Sequence, residues 1–118
     1  MKPLKTVRRA FTLVEIMIVV LIIGILLAIA VPNFIRARES SRAKACVSNL
    51  RQIDSAKEQY AMDNKLGSGG TISGGMADLL TYIKKTPECP SGGTYTIGAV
   101  GTDPTCSTGG TGATAHAL

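Results

Sequence analysis

The uncharged stretch from Ile16 to Ile35 constrains the fold more than any other part of the sequence. These residues include no charged side chain, and Asn33 is the only strongly polar one. As a helix, a stretch of this length spans about 30 Å, which matches the hydrocarbon thickness of a bilayer. The sequence therefore predicts one membrane-spanning helix.

Two simpler interpretations compete with a specialised role for this helix. A secretory signal peptide has an apolar core of about 7 to 15 residues and ends at a small-residue cleavage site. The apolar stretch of this chain is longer than such a core and ends in Pro32-Asn33-Phe34-Ile35, so it does not match a secretory signal peptide.

A plain membrane anchor fits the length of the helix, but it does not explain Glu15, which lies at the start of the apolar run. A charge at the centre of a bilayer helix costs roughly 2.5 to 3.5 kcal/mol, and less near the interface. Glu15 is therefore a candidate functional residue.

Much of the basic charge lies before the apolar run. The formal net charge is +5, and Lys2, Lys5, Arg8 and Arg9 precede the run with no acidic residue among them. Without these four the chain is nearly neutral, and it contains only three Tyr, two Phe and no Trp. Binding of DNA or RNA relies on a basic stripe and often on stacking rings, so the composition makes nucleic acid an unlikely partner.

The residues around Glu15 resemble a known export signal. Arg9-Ala10-Phe11-Thr12-Leu13-Val14-Glu15, followed by an apolar helix with Gly24 and Pro32, is similar to the signal segment of type IV prepilins and type II secretion pseudopilins. The resemblance covers about residues 5 to 40. It implies that prepilin peptidase removes a leader, residues 1–10, by cutting between Ala10 and Phe11, and then methylates the Phe11 amine. The usual residue before the cut is Gly, and Ala10 is also small.

The same resemblance gives Glu15 a role in assembly. In a filament the apolar helices bundle away from water, where an unpaired carboxylate is costly and a cationic amine is a strong partner. Glu15 is expected to pair with the Phe11 amine of a neighbouring subunit and to set the stagger between them. Gly24 and Pro32 suit a helix that must flex, since Pro removes one backbone hydrogen bond. Both residues are also common in membrane helices in general.

The resemblance further implies partners and a location. The partners are prepilin peptidase, identical or homologous pilin subunits and an assembly platform in the inner membrane. The precursor is expected to cross the inner membrane once with its head outside the cytoplasm, and then to enter a periplasmic or cell-surface filament. Secretion, adhesion, motility and DNA uptake are all compatible with this pattern. The alternative is a single-pass, membrane-anchored binding domain that does not polymerise.

Beyond Asn33 the pattern stays helical to about Lys65. Apolar residues recur at three- and four-residue steps and define one face: Ala43, Cys46, Val47, Leu50, Ile53, Ala56 and Tyr60. Charged residues are assigned to the opposite, solvated face: Arg42, Lys44, Arg51, Lys57 and Glu58. We therefore predict one long helix with a transmembrane or filament-core part, residues 11–35, and an amphipathic continuation, residues 36–66.

The remaining residues, 67–118, predict a small Gly-rich head. A short helix is expected around 76–83, and a strand over 94–100 with a second strand near Cys106. The last ten residues are rich in Gly, Thr and Ala and are expected to be disordered. The predicted fold class is α+β, with a long N-terminal helix packed on a small antiparallel sheet.

Few residues in the head predict chemistry. His116 is the only histidine, and a lone His near the chain end is expected to be solvated, so we predict neither an enzyme nor a cofactor. Cys46, Cys89 and Cys106 together with His116 have the ligand count of a zinc site but not its usual spacing. The sequence therefore predicts no metal site. The sparse acidic residues of the head do not favour calcium either.

The cysteines of an exported head are expected to oxidise. Cys89-Pro90-Ser91-Gly92-Gly93, followed by Cys106, is similar to the C-terminal region of minimal pseudopilin-like proteins. We expect a disulfide between Cys89 and Cys106, with Cys46 reduced in the helix stripe. A loop of about 15 residues corresponds to roughly 3 kcal/mol in the chain-entropy model. A disulfide from Cys46 to either partner is the alternative.

Overall fold

The computed structural model describes residues 1–3 and 7–118. Part of the expected leader, Leu4, Lys5 and Thr6, lies outside the described residues. The chain forms two compact units, Met1–Arg36 and Ala37–Leu118. A single helix, α1, is assigned from Leu13 to Asp63.

In Met1–Arg36, α1 carries the predicted apolar run. Its large apolar side chains are exposed from Leu13 to Ile35. By length and composition the helix can cross a membrane. Gly24 and Pro32 both lie inside it, and a Cβ atom at Gly24 would meet no described atom within 4 Å. Packing among the described residues therefore does not require Gly at this position.

In Ala37–Leu118, one face of α1 is buried as the periodicity predicts. Its buried apolar residues are Ala43, Cys46, Leu50, Ile53, Ala56 and Ala61. Val47 and Tyr60 are half-buried at the margin of this face. The helix ends in a Schellman motif: Lys65 has a φ of 54°, and the Leu66 N–H donates to the Ala61 carbonyl at 2.8 Å. This reversal satisfies a carbonyl of the last turn.

Lys57 is buried, so its assignment to the solvated face is wrong. The side chain is fully shielded from solvent, and its ammonium donates to the backbone carbonyls of Ile97, at 2.8 Å, and Thr102. Both carbonyls come from the head, 40 and 45 residues further along the chain. Burial lowers the pKa of Lys57, and the Asp54 carboxylate is the largest opposing influence on it.

The lowered pKa of Lys57 predicts a pH dependence of head stability. At pH values below the folded-state pKa, Lys57 is charged in both the folded and the unfolded state. The folded state then bears the full free-energy cost of burying the charge. As pH rises from that value to about 10.5, the folded state loses its proton first and stability increases. The difference in unfolding free energy between the wild type and Lys57→Met should therefore grow with pH, because contributions from other groups cancel. Urea unfolding at several pH values measures it, and a constant difference would contradict this reading.

The head packs around α1 through a few large side chains. Its main core comprises Ile53, Ala56, Ala61, Ile72, Leu79 and Val100. Helix α2 spans only Met76–Leu79, which is shorter than the predicted 76–83. Strand β1, Tyr95–Thr96, pairs antiparallel with β2, Thr105–Cys106. The α+β prediction is confirmed.

Strand β1 is shorter than the strand that the alternating sequence pattern predicts over 94–100. Gly98 and Gly101 have φ values of 72° and 82°, in the left-handed region that glycine adopts without strain. The chain therefore turns away from the strand conformation after Thr96. The alternation in burial nevertheless continues, since Tyr95, Ile97 and Ala99 are half-buried and the residues between them are exposed.

The C-terminal segment contains a short 3₁₀ helix, Gly112–Thr114. His116 follows it and is only 3% exposed, so the expectation of a solvated histidine is wrong.

Candidate functional site

The expected processing junction lies just before α1. Ala10 and Phe11 are both exposed, and the bond between them is outside the helix that begins at Leu13. Cleavage at this bond needs no helical hydrogen bond to be broken. The cut and the methylation of Phe11 stay predictions.

Thr12 and Glu15 cap the N-terminus of α1. The Glu15 N–H donates to the Thr12 hydroxyl at 3.2 Å, and the Thr12 N–H donates to the Glu15 carboxylate at 3.4 Å. This reciprocal pair is a capping box, and the carboxylate also offsets the positive end of the helix dipole. Sequence reasoning missed it, although a Thr-x-x-Glu spacing before an apolar run is its usual signature.

The Glu15 carboxylate remains accessible in this arrangement. Glu15 is exposed, and within the described residues only its Oε2 atom takes part in the capping pair. The other oxygen can accept a hydrogen bond or pair with a cation on another chain. The structure thus gives Glu15 a local role and leaves room for the predicted contact between subunits.

A second constellation lies in the head, where four side chains that are distant in sequence come together. Cys46 lies on α1, Cys89 in the loop before β1, Cys106 on β2 and His116 after the 3₁₀ helix. Their sulfur and imidazole nitrogen atoms all lie within 4.8 Å of one another. The Cys89 Sγ is 3.7 Å from the Cys46 Sγ and 3.8 Å from the His116 Nδ1. Three of the four residues are buried, and Cys106 is half-buried.

The three cysteines are free thiols in this structure. Bonded sulfurs lie about 2.05 Å apart, and the Sγ atoms of Cys46 and Cys89 are separated by 3.7 Å. The disulfide between Cys89 and Cys106 stays a prediction, as does the alternative through Cys46.

The surroundings of Cys46 and Cys89 shift the pKa values of the two thiols in opposite directions. Burial raises the pKa of the Cys46 thiol to about 12. Burial also raises the pKa of Cys89, but hydrogen bonds from the backbone N–H groups of Ser91 and Gly93 help to reverse this effect and lower its pKa to about 6. A Cβ atom at Gly93 would lie 2.6 Å from the Cys106 Sγ. The backbone approaches the sulfurs this closely because residue 93 has no side chain.

Polar side chains support the cluster from the helix side. Asn49 donates to the Tyr95 hydroxyl at 3.0 Å and to the Glu88 carbonyl at 2.9 Å. Tyr95 in turn packs against the cluster that contains Cys46 and Cys89. Burial raises the pKa of Tyr95, so its hydroxyl keeps its proton and acts as a donor at neutral pH.

The N-terminal segment of the chain is similar to known proteins. The family model for the prokaryotic N-terminal methylation motif matches residues 5–31. Type IV major pilin protein PilA of Myxococcus xanthus is 48% identical over 52 residues, which cover 44% of this chain and 24% of that protein. No solved structure matches the chain.

Two relatives match well beyond this segment. Type II secretion system core protein G of Klebsiella michiganensis is 31% identical over 105 residues, covering 76% of this chain and 72% of the relative. ComG operon protein 3 homolog of Bacillus licheniformis is 33% identical over 84 residues, covering 71% of this chain and 84% of the relative. Similarity that extends from the methylation motif into the head shows that the chain belongs to the family of type IV pilins and type II secretion pseudopilins.

Proposed function

We propose that this chain is made as a membrane-anchored precursor, loses residues 1–10 to a prepilin peptidase and joins a filament through its N-terminal helix. The general role, a structural filament subunit, follows from the family. The observation that carries the proposal is the exposed apolar surface of α1 that begins beside the capped Glu15.

The apolar surface from Leu13 to Ile35 needs two successive environments. Exposed apolar patches of this size are unfavourable in water and mark membrane or protein contacts. A bilayer covers this surface before assembly, and the helices of other subunits cover it afterwards. Gly24 fits the second environment, because small residues let neighbouring helices approach closely and packing among the described residues does not use its missing side chain.

Cleavage before Phe11 would create a positively charged amine that Glu15 can neutralise. The new cationic amine would lie two residues before α1, at the positive end of the helix dipole, where a cation is unfavourable. Glu15 is the acidic residue in the first helical turn. Among packed apolar helices, the amine of one subunit and the Glu15 carboxylate of the next would neutralise each other. Pro32 would allow the helix to bend during this packing.

The proposal includes the location and the other partners. Before assembly the subunit resides in the inner membrane with its head outside the cytoplasm. The prepilin peptidase and an inner-membrane assembly platform act on it there. The similarity to a type II secretion core protein favours a pseudopilus as the filament.

Intact mass of the membrane-extracted protein tests the processing step. We expect a chain that begins at Phe11 and carries one added methyl group. A variant with Ala10→Glu, which puts a bulky charge at the junction, should keep residues 1–10 and serves as the control. Full retention of residues 1–10 by the wild type in cells with active prepilin peptidase would contradict the proposed cut.

Shearing of cells tests the filament itself. The processed subunit should appear in the sheared or pelleted filament fraction together with its homologues. If the processed chain stays entirely in the membrane while the assembly machinery is active, the non-polymerising, membrane-anchored binding domain becomes the better description.

A further inference from the structure

We propose that Cys46, Cys89, Cys106 and His116 form a tetrahedral structural zinc site that joins the head to the amphipathic half of α1. The proposal concerns the head alone and is independent of the filament function. It also reverses the expectation from sequence spacing that the chain has no metal site.

The distances within the cluster match a zinc site. Zn–S bonds of about 2.3 Å in a tetrahedron place two sulfurs about 3.8 Å apart, and a Zn–N bond of about 2.0 Å places sulfur and nitrogen about 3.5 Å apart. The observed separations from the Cys89 Sγ are 3.7 Å to the Cys46 Sγ and 3.8 Å to the His116 Nδ1. All four donor atoms lie within 4.8 Å of one another. A metal ion at their centre therefore needs only small side-chain adjustments.

The donor set selects the metal and the type of site. Three thiolates and one imidazole are soft and borderline ligands that suit Zn²⁺, whereas Ca²⁺ and Mg²⁺ prefer oxygen. Four protein ligands fill a tetrahedral coordination sphere and leave no position for water or substrate, so the site is structural rather than catalytic. Binding releases the thiol protons to solvent and changes no oxidation state.

Groups around the cluster are placed as partners of metal-bound sulfur. The Thr108 hydroxyl lies 3.8 Å from the Cys89 Sγ, and the Gly93 backbone comes so close to the Cys106 Sγ that a Cβ atom at residue 93 would lie 2.6 Å from it. Tyr95 packs against the cluster that contains Cys46 and Cys89. Three thiolates exceed the charge of Zn²⁺ by one, and donors such as the Thr108 hydroxyl stabilise the excess negative charge.

The site would also explain the burial of His116. The residues before it, Gly109 to Ala115, carry no large apolar side chain that would hold the segment against the head. His116 is nevertheless only 3% exposed. A metal bond from its imidazole would attach this segment, and the other ligands would attach α1, the loop before β1 and β2. Because small heads bury too little apolar surface, such a link contributes directly to folding.

Metal content of the full chain, extracted from membranes into detergent without added metal, is the first test. We expect about one zinc ion per chain. Substitution His116→Ala should lower zinc retention about tenfold or more after dialysis, whereas the exposed neighbour Leu118→Ala should retain it. His116 is near the chain end, so this variant spares the helix face, and Cys106→Ser provides a second ligand deletion.

Two further measurements separate zinc from a disulfide. Replacing zinc by Co²⁺ should produce the visible absorption of a tetrahedral site with sulfur-to-cobalt charge transfer, and the wild type should lose thermal stability in a chelator while His116→Ala does not. Denaturation with chelator but no reductant should leave all three cysteines open to alkylation. Freshly extracted chain that lacks stoichiometric metal, or peptide mapping that joins Cys89 or Cys46 to another cysteine, would overturn the proposal.

Discussion

Replacing Glu15 with Leu is expected to abolish filaments while membrane insertion and head folding remain intact. Removing a carboxylate from an apolar segment lowers the cost of insertion, so the membrane content of the subunit should be unchanged or slightly higher. In the assembled helices, however, each Phe11 amine would lose its proposed partner, and leaving one member of a buried ion pair alone costs about 3 to 5 kcal/mol. The measurements are processed subunit in membranes and the yield of sheared filaments.

Matched variants distinguish this role of Glu15 from its role in the capping box. Glu15→Gln keeps the cap, because Gln can replace Glu at this position, but it loses the charge and should give an intermediate defect. Thr12→Ala weakens the cap by about 1 kcal/mol and keeps the charge, so filaments should persist. Normal filaments from Glu15→Leu would reduce Glu15 to an interfacial residue. Loss of filaments in Thr12→Ala with normal filaments in Glu15→Gln would assign the whole effect to capping.

Replacing Lys57 with Ala is expected to destabilise the head by about 3 to 4 kcal/mol. The substitution removes a fully buried side chain and leaves the carbonyls of Ile97 and Thr102 without their donor. An unsatisfied buried polar group costs about 1 to 3 kcal/mol, and the missing stem creates a cavity. Lys57→Met keeps most of the stem and no longer buries an ammonium, so its cost should be smaller, about 2 kcal/mol.

The tyrosines report this change without interference from the apolar half of α1. All three lie in Ala37–Leu118, and the chain has no Trp, so tyrosine fluorescence or near-ultraviolet circular dichroism follows the head of the full chain in detergent. The exposed Lys44 lies on the same helix, and Lys44→Ala should change stability by less than about 0.5 kcal/mol. Equal effects of the two alanine substitutions would show that the hydrogen bonds of Lys57 add nothing to stability.

The local parts of this structure were readable from the sequence. The uncharged run to Ile35 and the stripe from Ala43 to Ala56 depend on side chains a few residues apart, which helical geometry brings to one surface. The capping box of Thr12 and Glu15 was equally readable, since both partners lie within one turn.

Contacts between distant segments are the part that only the tertiary structure decided. The prediction from helical periodicity placed Lys57 in solvent, because it considers only the polarity of a residue and its position on the helix. Whether a lysine finds acceptors depends instead on the carbonyls of Ile97 and Thr102, about 40 residues away. The early end of β1 likewise depends on the turns at Gly98 and Gly101 and on the pairing available with β2.

The cysteine and histidine cluster shows most clearly which features follow from the sequence and which depend on the tertiary structure. The sequence by itself determined that a long helix with an apolar first half carries a small head, because apolar composition and helical periodicity depend on residues close together in the chain. It did not determine that Cys46, Cys89, Cys106 and His116 meet. Spacing along the chain identifies a metal motif only when the ligands lie in one short loop. Here the helix, the loop before β1, β2 and the C-terminal segment each supply one ligand, and only the packing of the head brings them within bonding range of a common point.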